Sequence, residues 1–345
     1  MVNVADALER GKRTSAYARG AFFGLAAVSI WAANIVVAGL GLKASLTPWD
    51  ISAIRFGVAG LLLAPILWRR GLAFDRLGWV GLAALVFGGA PAVLLANAGL
   101  LFAPAAHAGA LFPGVMPLMV AILAAAILDE PFTRQKRTGF ALIVAGVVAI
   151  VWGAGGTLGT TQTLGHLLFL GSAFAWACYT IAMRRSRLDG LHAAAISAVG
   201  SMICYWPPYA LLVGTSMFES PLGAIALQAL VQGLLTAVVS YLLYGMAVAI
   251  LGASSGAALA ALCPAMTALM AIPLLGEFPS LLDWIAISLI STGVYIVSTG
   301  EVRVIRPQRH AAGMGQADRP LKLEQLGGGT GTAPQDTEQR ADAGS

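Results

Sequence analysis

The side chains able to do chemistry in this chain are few, and they sit inside apolar sequence. Trp31 and Asn34 stand three residues apart, hence on one face of a helix. Asn97, His107 and Trp176 follow, then Gln228 and Gln232 one helical turn apart, with Tyr241 and Tyr244 further along. Arg55 is the one Lys or Arg within an apolar run. Polar groups in lipid must find partners or water, so these are expected to face a bundle interior. What they offer is recognition: a cavity of neutral hydrogen-bonding and aromatic groups that suits a zwitterion or an amphipathic metabolite. The competing reading is helix–helix hydrogen bonding, typically worth under about 2 kcal/mol in membranes. For Tyr241 and Tyr244 that packing role is the favoured one.

The titratable groups are placed less symmetrically. Arg55 lies about one turn in from Asp50, so its guanidinium is expected to snorkel to the near interface or to form a structural ion pair. Contact with an anionic group of a substrate is the alternative. His107 could couple proton entry to transport, although a lone membrane His is more often a hydrogen-bonded core residue. Asp50, Asp129, Glu130, Glu277 and Asp283 all sit at the ends of apolar runs, which argues against a pump built on deep carboxylates. Glu130 and Glu277 are expected to cap the helices that follow them, where a carboxylate meets the positive end of the dipole.

The elements that must hold these side chains are apolar: across the chain 58% of the residues are hydrophobic and 11% charged. An average soluble domain carries about 25% charged residues, so these charges cannot cover a soluble surface. Apolar runs long enough to cross a hydrocarbon core recur along the chain. Ten helices are expected: 21–42, 50–68, 78–101, 104–128, 138–152, 164–183, 191–213, 224–250, 253–275 and 282–299. Residues 1–20 read as a basic arm before the first span, and 301–345 as a disordered polar tail. Cys178, Cys204 and Cys263 are isolated in apolar sequence and predict neither disulfide nor metal site. No HExxH or phosphate loop is present, and the Ser254–Ser255 pair within GASSG (252–256) has no plausible base nearby in sequence, so neither an enzyme nor a cofactor is expected.

Basic residues fix a topology. Arg10, Lys12, Arg13, Arg19, Arg69, Arg70, Arg76, Arg134, Lys136, Arg137, Arg184, Arg185 and Arg187 fall on one side of a ten-span chain, and Lys43 alone on the other. By the positive-inside rule both termini are cytoplasmic. Within the chain a repeat appears at an offset of 147. It aligns Pro117 with Pro264, Glu130 with Glu277, Ile143 with Ile290 and Gly146 with Gly293. More weakly, Trp31 aligns with Trp176 at an offset of 145. Five spans, an odd number, separate the copies, so the halves 21–153 and 164–300 must be inverted relative to each other. Secondary transporters commonly have this build, with substrate at the repeat interface near the midplane.

Three stretches carry a family resemblance: WAANIVV (31–37), IRFGVAGLLLAPI (54–66), and the unit around Pro117–Glu130–Gly146 with its copy around Pro264–Glu277–Gly293. On these the sequence resembles the drug/metabolite transporter superfamily of the two-EamA-domain type. The resemblance implies an all-α membrane protein of ten helices in two inverted five-helix repeats around a central cavity. It implies export of small metabolites such as amino acids across the bacterial inner membrane. Uptake, or efflux of drugs and toxic cations by the same fold, is the alternative, and a membrane-embedded enzyme the rival of a different class. Gly200 stands where the second copy would carry Arg55's counterpart, and Ala286 where it would carry that of Gly139. The expected partners are a small-molecule substrate and the lipid bilayer, with no nucleic acid; a homodimer is compatible with the sequence.

Overall fold

The computed structural model describes residues 4–153, 161–214 and 216–299; the expected tail, 301–345, lies outside them. Ten apolar helices cross the molecule: α1 (Ala16–Lys43), α2 (Pro48–Arg70), α3 (Phe74–Gly99), α4 (Ala105–Leu128), α5 (Arg134–Gly153), α6 (Thr161–Arg185), α7 (Gly190–Leu212), α8 (Leu222–Leu251), α9 (Ala258–Leu275) and α10 (Leu281–Thr299). The described residues contain no strand. The helix containing α1 starts at Val4, so the described part of the basic arm continues it instead of forming a separate segment.

Packing reports the symmetry directly. α1 packs on α8 and α9, and its counterpart α6 packs on α3 and α4. α2 packs on α7, α4 on α9 and α5 on α10, each helix against its own equivalent. The α5–α10 seam is the tightest. A Cβ on Gly146 would stand 2.8 Å from the Ala286 carbonyl oxygen and 2.6 Å from Ile290 Cγ1. A Cβ on Gly293 would stand 2.6 Å from the Gly139 oxygen and 2.7 Å from Ile143 Cγ1. Shifting the first-repeat member of each contact up by 147 and the second-repeat member down by 147 turns one set into the other, so a local two-fold axis passes between the helices. Residue numbers rise along α5 as they fall along α10, which makes the pair antiparallel and the repeats inverted.

Several spans are broken at mid-length. α4 is interrupted between Leu111 and Met116, and the helices flanking α9's break end at Ala260 and resume at Cys263. These breaks are equivalent under the 147-residue offset, and Pro117 and Pro264 begin the second halves. α3 breaks at Gly88–Gly89, where the freed Ala90 N–H donates to Ser201 Oγ at 3.0 Å and Ser197 Oγ donates to the Leu85 carbonyl at 2.8 Å. Hydroxyls thus satisfy backbone that the helix no longer does. In α8, residues Ala229–Val239 adopt the wider π-helical form. Trp68 and Trp79 are exposed near the arginine-rich end and Trp49 and Trp152 near the other, the arrangement of aromatic belts at two membrane interfaces.

Candidate functional site: the cavity between the repeats

The irregular middles of these spans surround a cavity of about 380 Å³, within the range of about 300–1,000 Å³ usual for small-molecule sites. Both repeats line it. Trp31 and Trp176 face it from equivalent positions, and Met116 and Cys263 face it from the two helix breaks. Its lining runs from Met183 and Gly190 at the arginine-rich end to Leu100 and Ala108 toward the other. A smaller space of about 40 Å³ shares Arg55, Val93, Trp176, Tyr179 and Tyr241 with it and extends toward Gly88, Gly89 and Ser197.

Most of the sequence candidates meet here. Trp31, Asn34, Asn97, Trp176, Gln232, Tyr241 and Tyr244 line the large cavity, together with Arg55. Trp31 Nε1 donates to Ser240 Oγ at 3.0 Å, and its ring stands 5.1 Å from that of Tyr244. Asn97 Nδ2 donates to Ser52 Oγ at 3.3 Å.

Arg55 departs from the expectation of an interfacial snorkel. It is 8% exposed, and its Nη1 donates to Asn34 Oδ1 at 2.9 Å and to Gln232 Oε1 at 3.0 Å. Asp50, the nearby carboxylate, instead accepts from the Tyr209 hydroxyl at 2.6 Å and closes a capping box with Thr47 at the start of α2. The guanidinium therefore turns inward because its partners lie on α1 and α8. Gln232 is itself held in place, since its Nε2 donates to the Asn34 carbonyl at 3.0 Å.

Gln228 does not join Gln232 at the cavity. It is fully buried and donates to the Val37 carbonyl at 2.6 Å. The four-residue spacing misleads here because the π-helical stretch beginning at Ala229 changes the angular step between the two.

His107 is not a lone histidine, and it does not line the cavity. Its Nδ1 meets His166 Nε2 at 3.0 Å and its Nε2 meets Asp283 Oδ1 at 3.0 Å. Beside it, Glu277 Oε2 accepts from the Ala105 N–H at 2.7 Å. Glu277 thus caps α4 across the repeat interface, while α10, the helix expected for it, is capped by Ser280 and Asp283. Glu130 is also placed otherwise than expected: it pairs with Arg184 and, at 3.8 Å, with Lys136, and Thr133 accepts from the Lys136 N–H at the start of α5. Lys43 Nζ donates to the Leu275 carbonyl. His107–Asp283, His107–His166, Glu277–Ala105 and Lys43–Leu275 all join the two repeats at the end away from the arginines, and Arg184–Glu130, Arg70–Asp189 and His192–Gly71 join them at the arginine-rich end.

Sequence reasoning missed Tyr179, Thr236, Phe112 and His166. Tyr179 was within reach, since it follows Trp176 by three residues and their rings lie 5.3 Å apart. His166 was not, because its partner is 59 residues away.

A membrane bundle of two inverted halves with a cavity at their interface is the build of a secondary transporter. The chain belongs to the EamA-like transporter family, whose model matches residues 18–152 and again 163–299. It is therefore a multi-pass membrane protein that transports small molecules. No curated protein matches it. Among the solved structures that are similar, one crystal structure matches at 19% identity and a TM-score of 0.55, over 84% of this chain and 98% of that one; that likeness shows a shared fold.

Proposed function

We propose that this protein exports amino acids or related small metabolites across the inner membrane by alternating access at the cavity between its repeats, with both termini in the cytoplasm. The observation that carries the reading is one-sidedness. At the arginine-rich end, which the positive-inside rule assigns to the cytoplasm, the lining residue Gly190 is exposed, whereas toward the opposite end Leu100 is half-buried and Ala108 buried, beside the repeat-crossing bonds of His107, Glu277 and Lys43. Such a conformation is suited to loading from the cytoplasm.

Release on the other side requires those bonds to part while the repeat-crossing contacts at the arginine-rich end, Arg184–Glu130 and Arg70–Asp189 among them, hold and draw closer. The helix breaks supply points where halves of α3, α4 and α9 can tilt, and Trp31, Asn34, Asn97 and Gln232 supply neutral contacts for the cargo. One chain encloses the cavity, so the transporting unit in this reading is the single chain, whether or not copies pair. The test is efflux of labelled amino acids from liposomes holding the purified protein. Saturable, selective efflux that falls severalfold in Gln232→Ala supports the reading. Efflux equal to protein-free liposomes for every compound overturns the assignment to amino acids.

A further inference from the structure

We propose that Arg55 and Tyr179 form a carboxylate site in the cavity wall, which selects an amphipathic organic acid by its anion and its apolar body and does not require an ammonium group. This rests on the transporter reading and sharpens its substrate class.

Arg55 carries the argument. A guanidinium presents five N–H donors in a planar fork that matches a carboxylate. Only Nη1 is hydrogen-bonded here, by the neutral amide oxygens of Asn34 and Gln232, and Cζ stands 5.9 Å from the Phe56 ring centroid. Among the described residues Nε and Nη2 have no hydrogen-bond partner, and no Asp or Glu lines either the large or the small cavity. A buried cation without a counter-ion is strongly unfavourable. Yet the side chain is held in place by Gln232, which is itself anchored to the Asn34 carbonyl. Such positioning keeps the free edge of the fork in the cavity wall.

Tyr179 supplies an independent observation. It is 5% exposed and lines both cavities with Arg55, and its hydroxyl is buried with no partner among the described residues. An O–H and a guanidinium edge are both donors, which defines an acceptor-rich, negatively charged ligand group. Around them Trp31, Phe112, Trp176 and Tyr244 give an apolar and aromatic surface for the rest of the molecule. An ammonium has no carboxylate to meet there and would be repelled by Arg55. An α-amino acid is thus accepted through its carboxylate, its deaminated analogue binds at least as well, and a simple amine is refused.

The experiment measures equilibrium binding of radiolabelled 3-phenylpropionate to the detergent-purified full chain. The competitors are phenylalanine, 3-phenylpropionamide and 2-phenylethylamine. The site predicts saturable binding, competition by phenylalanine no better than by unlabelled 3-phenylpropionate, and competition by the amide and the amine at least about tenfold weaker, as expected when a buried charge loses its partner. Arg55→Gln should weaken binding at least about tenfold with partial recovery in Arg55→Lys, and Tyr179→Phe should weaken it severalfold. If Arg55→Gln fails to fold, the wild-type competition series and Tyr179→Phe decide alone. Equal competition by the amide, preference for the amine, or no saturable binding overturns the proposal. Binding without flux in liposomes would sink the transport reading and leave the carboxylate site standing. Selective flux of amines would do the reverse.

Discussion

Replacing Gly146 with Ala tests the seam on which the inverted architecture closes. The new methyl would lie 2.8 Å from the Ala286 carbonyl oxygen and 2.6 Å from Ile290 Cγ1. The Ile290 side chain can shift its rotamer, but the carbonyl belongs to the α10 backbone and moves only if the helices part. Overpacking of this kind costs about 1–3 kcal/mol. The gain in helix propensity from Gly to Ala returns about 1 kcal/mol, and because the clash is with backbone the overpacking cost falls at the upper end of its range, which leaves a net destabilisation of up to about 2 kcal/mol. Gly293→Ala meets the Gly139 oxygen at 2.6 Å and should behave alike, whereas Gly245→Ala, with nothing within 4 Å of its Cβ, should be neutral or slightly stabilising. Because one separation of α5 from α10 relieves both clashes, the Gly146→Ala/Gly293→Ala double variant should lose less than the sum of the singles. Equilibrium unfolding in mixed micelles, followed by tryptophan fluorescence, measures each. Wild-type stability in both single variants, or strict additivity in the double, would refute a shared two-fold seam.

Other perturbations address the ends and the centre. Gln232→Leu removes one of the two acceptors on buried Arg55 and should destabilise the fold by about 1–3 kcal/mol in the same assay, with a matching loss of ligand binding. Glu277→Ala strips the α4 N-terminus of its acceptor, and His107→Ala removes the link to Asp283; each should raise the rate at which an impermeant maleimide labels Ala103→Cys, now 6% exposed. In intact cells Ser45→Cys should label from outside, whereas Arg187→Cys should label only after permeabilisation, both positions being exposed at opposite ends of the bundle. Reversed labelling would contradict the orientation proposed for the chain.

Much of the fold is legible in the sequence because hydrophobic length and charge asymmetry are one-dimensional signals. The ten spans follow from length, and the inverted relation from an odd number of spans between copies of the Pro117–Glu130–Gly146 unit. Side-chain direction is legible only where the helix is regular. Trp31 and Asn34, three apart on a regular helix, do share the cavity. Gln228 and Gln232 do not, since the i→i+5 bonding that intervenes leaves no mark in composition. Arg55 illustrates a second limit. Its nearest carboxylate in sequence suggests an interfacial role, but Gln232, 177 residues distant, decides its direction. His107 reads as solitary for the same reason, as Asp283 and His166 lie in the other repeat.

The central claim is that the cavity opens alternately to the two sides, and Ala96 is placed to test it from within. Ala96 lines the cavity and is only partly buried. In a background where Cys178, Cys204 and Cys263 are replaced by alanine, Ala96→Cys would be exposed to an impermeant maleimide from each face of the membrane in turn. The account predicts fast labelling from the arginine-rich face. It also predicts slower labelling from the opposite face, accelerated when Glu277→Ala is added while labelling from the arginine-rich face slows. Labelling from one face alone, unchanged by Glu277→Ala, would make the cavity a dead end and contradict alternating access.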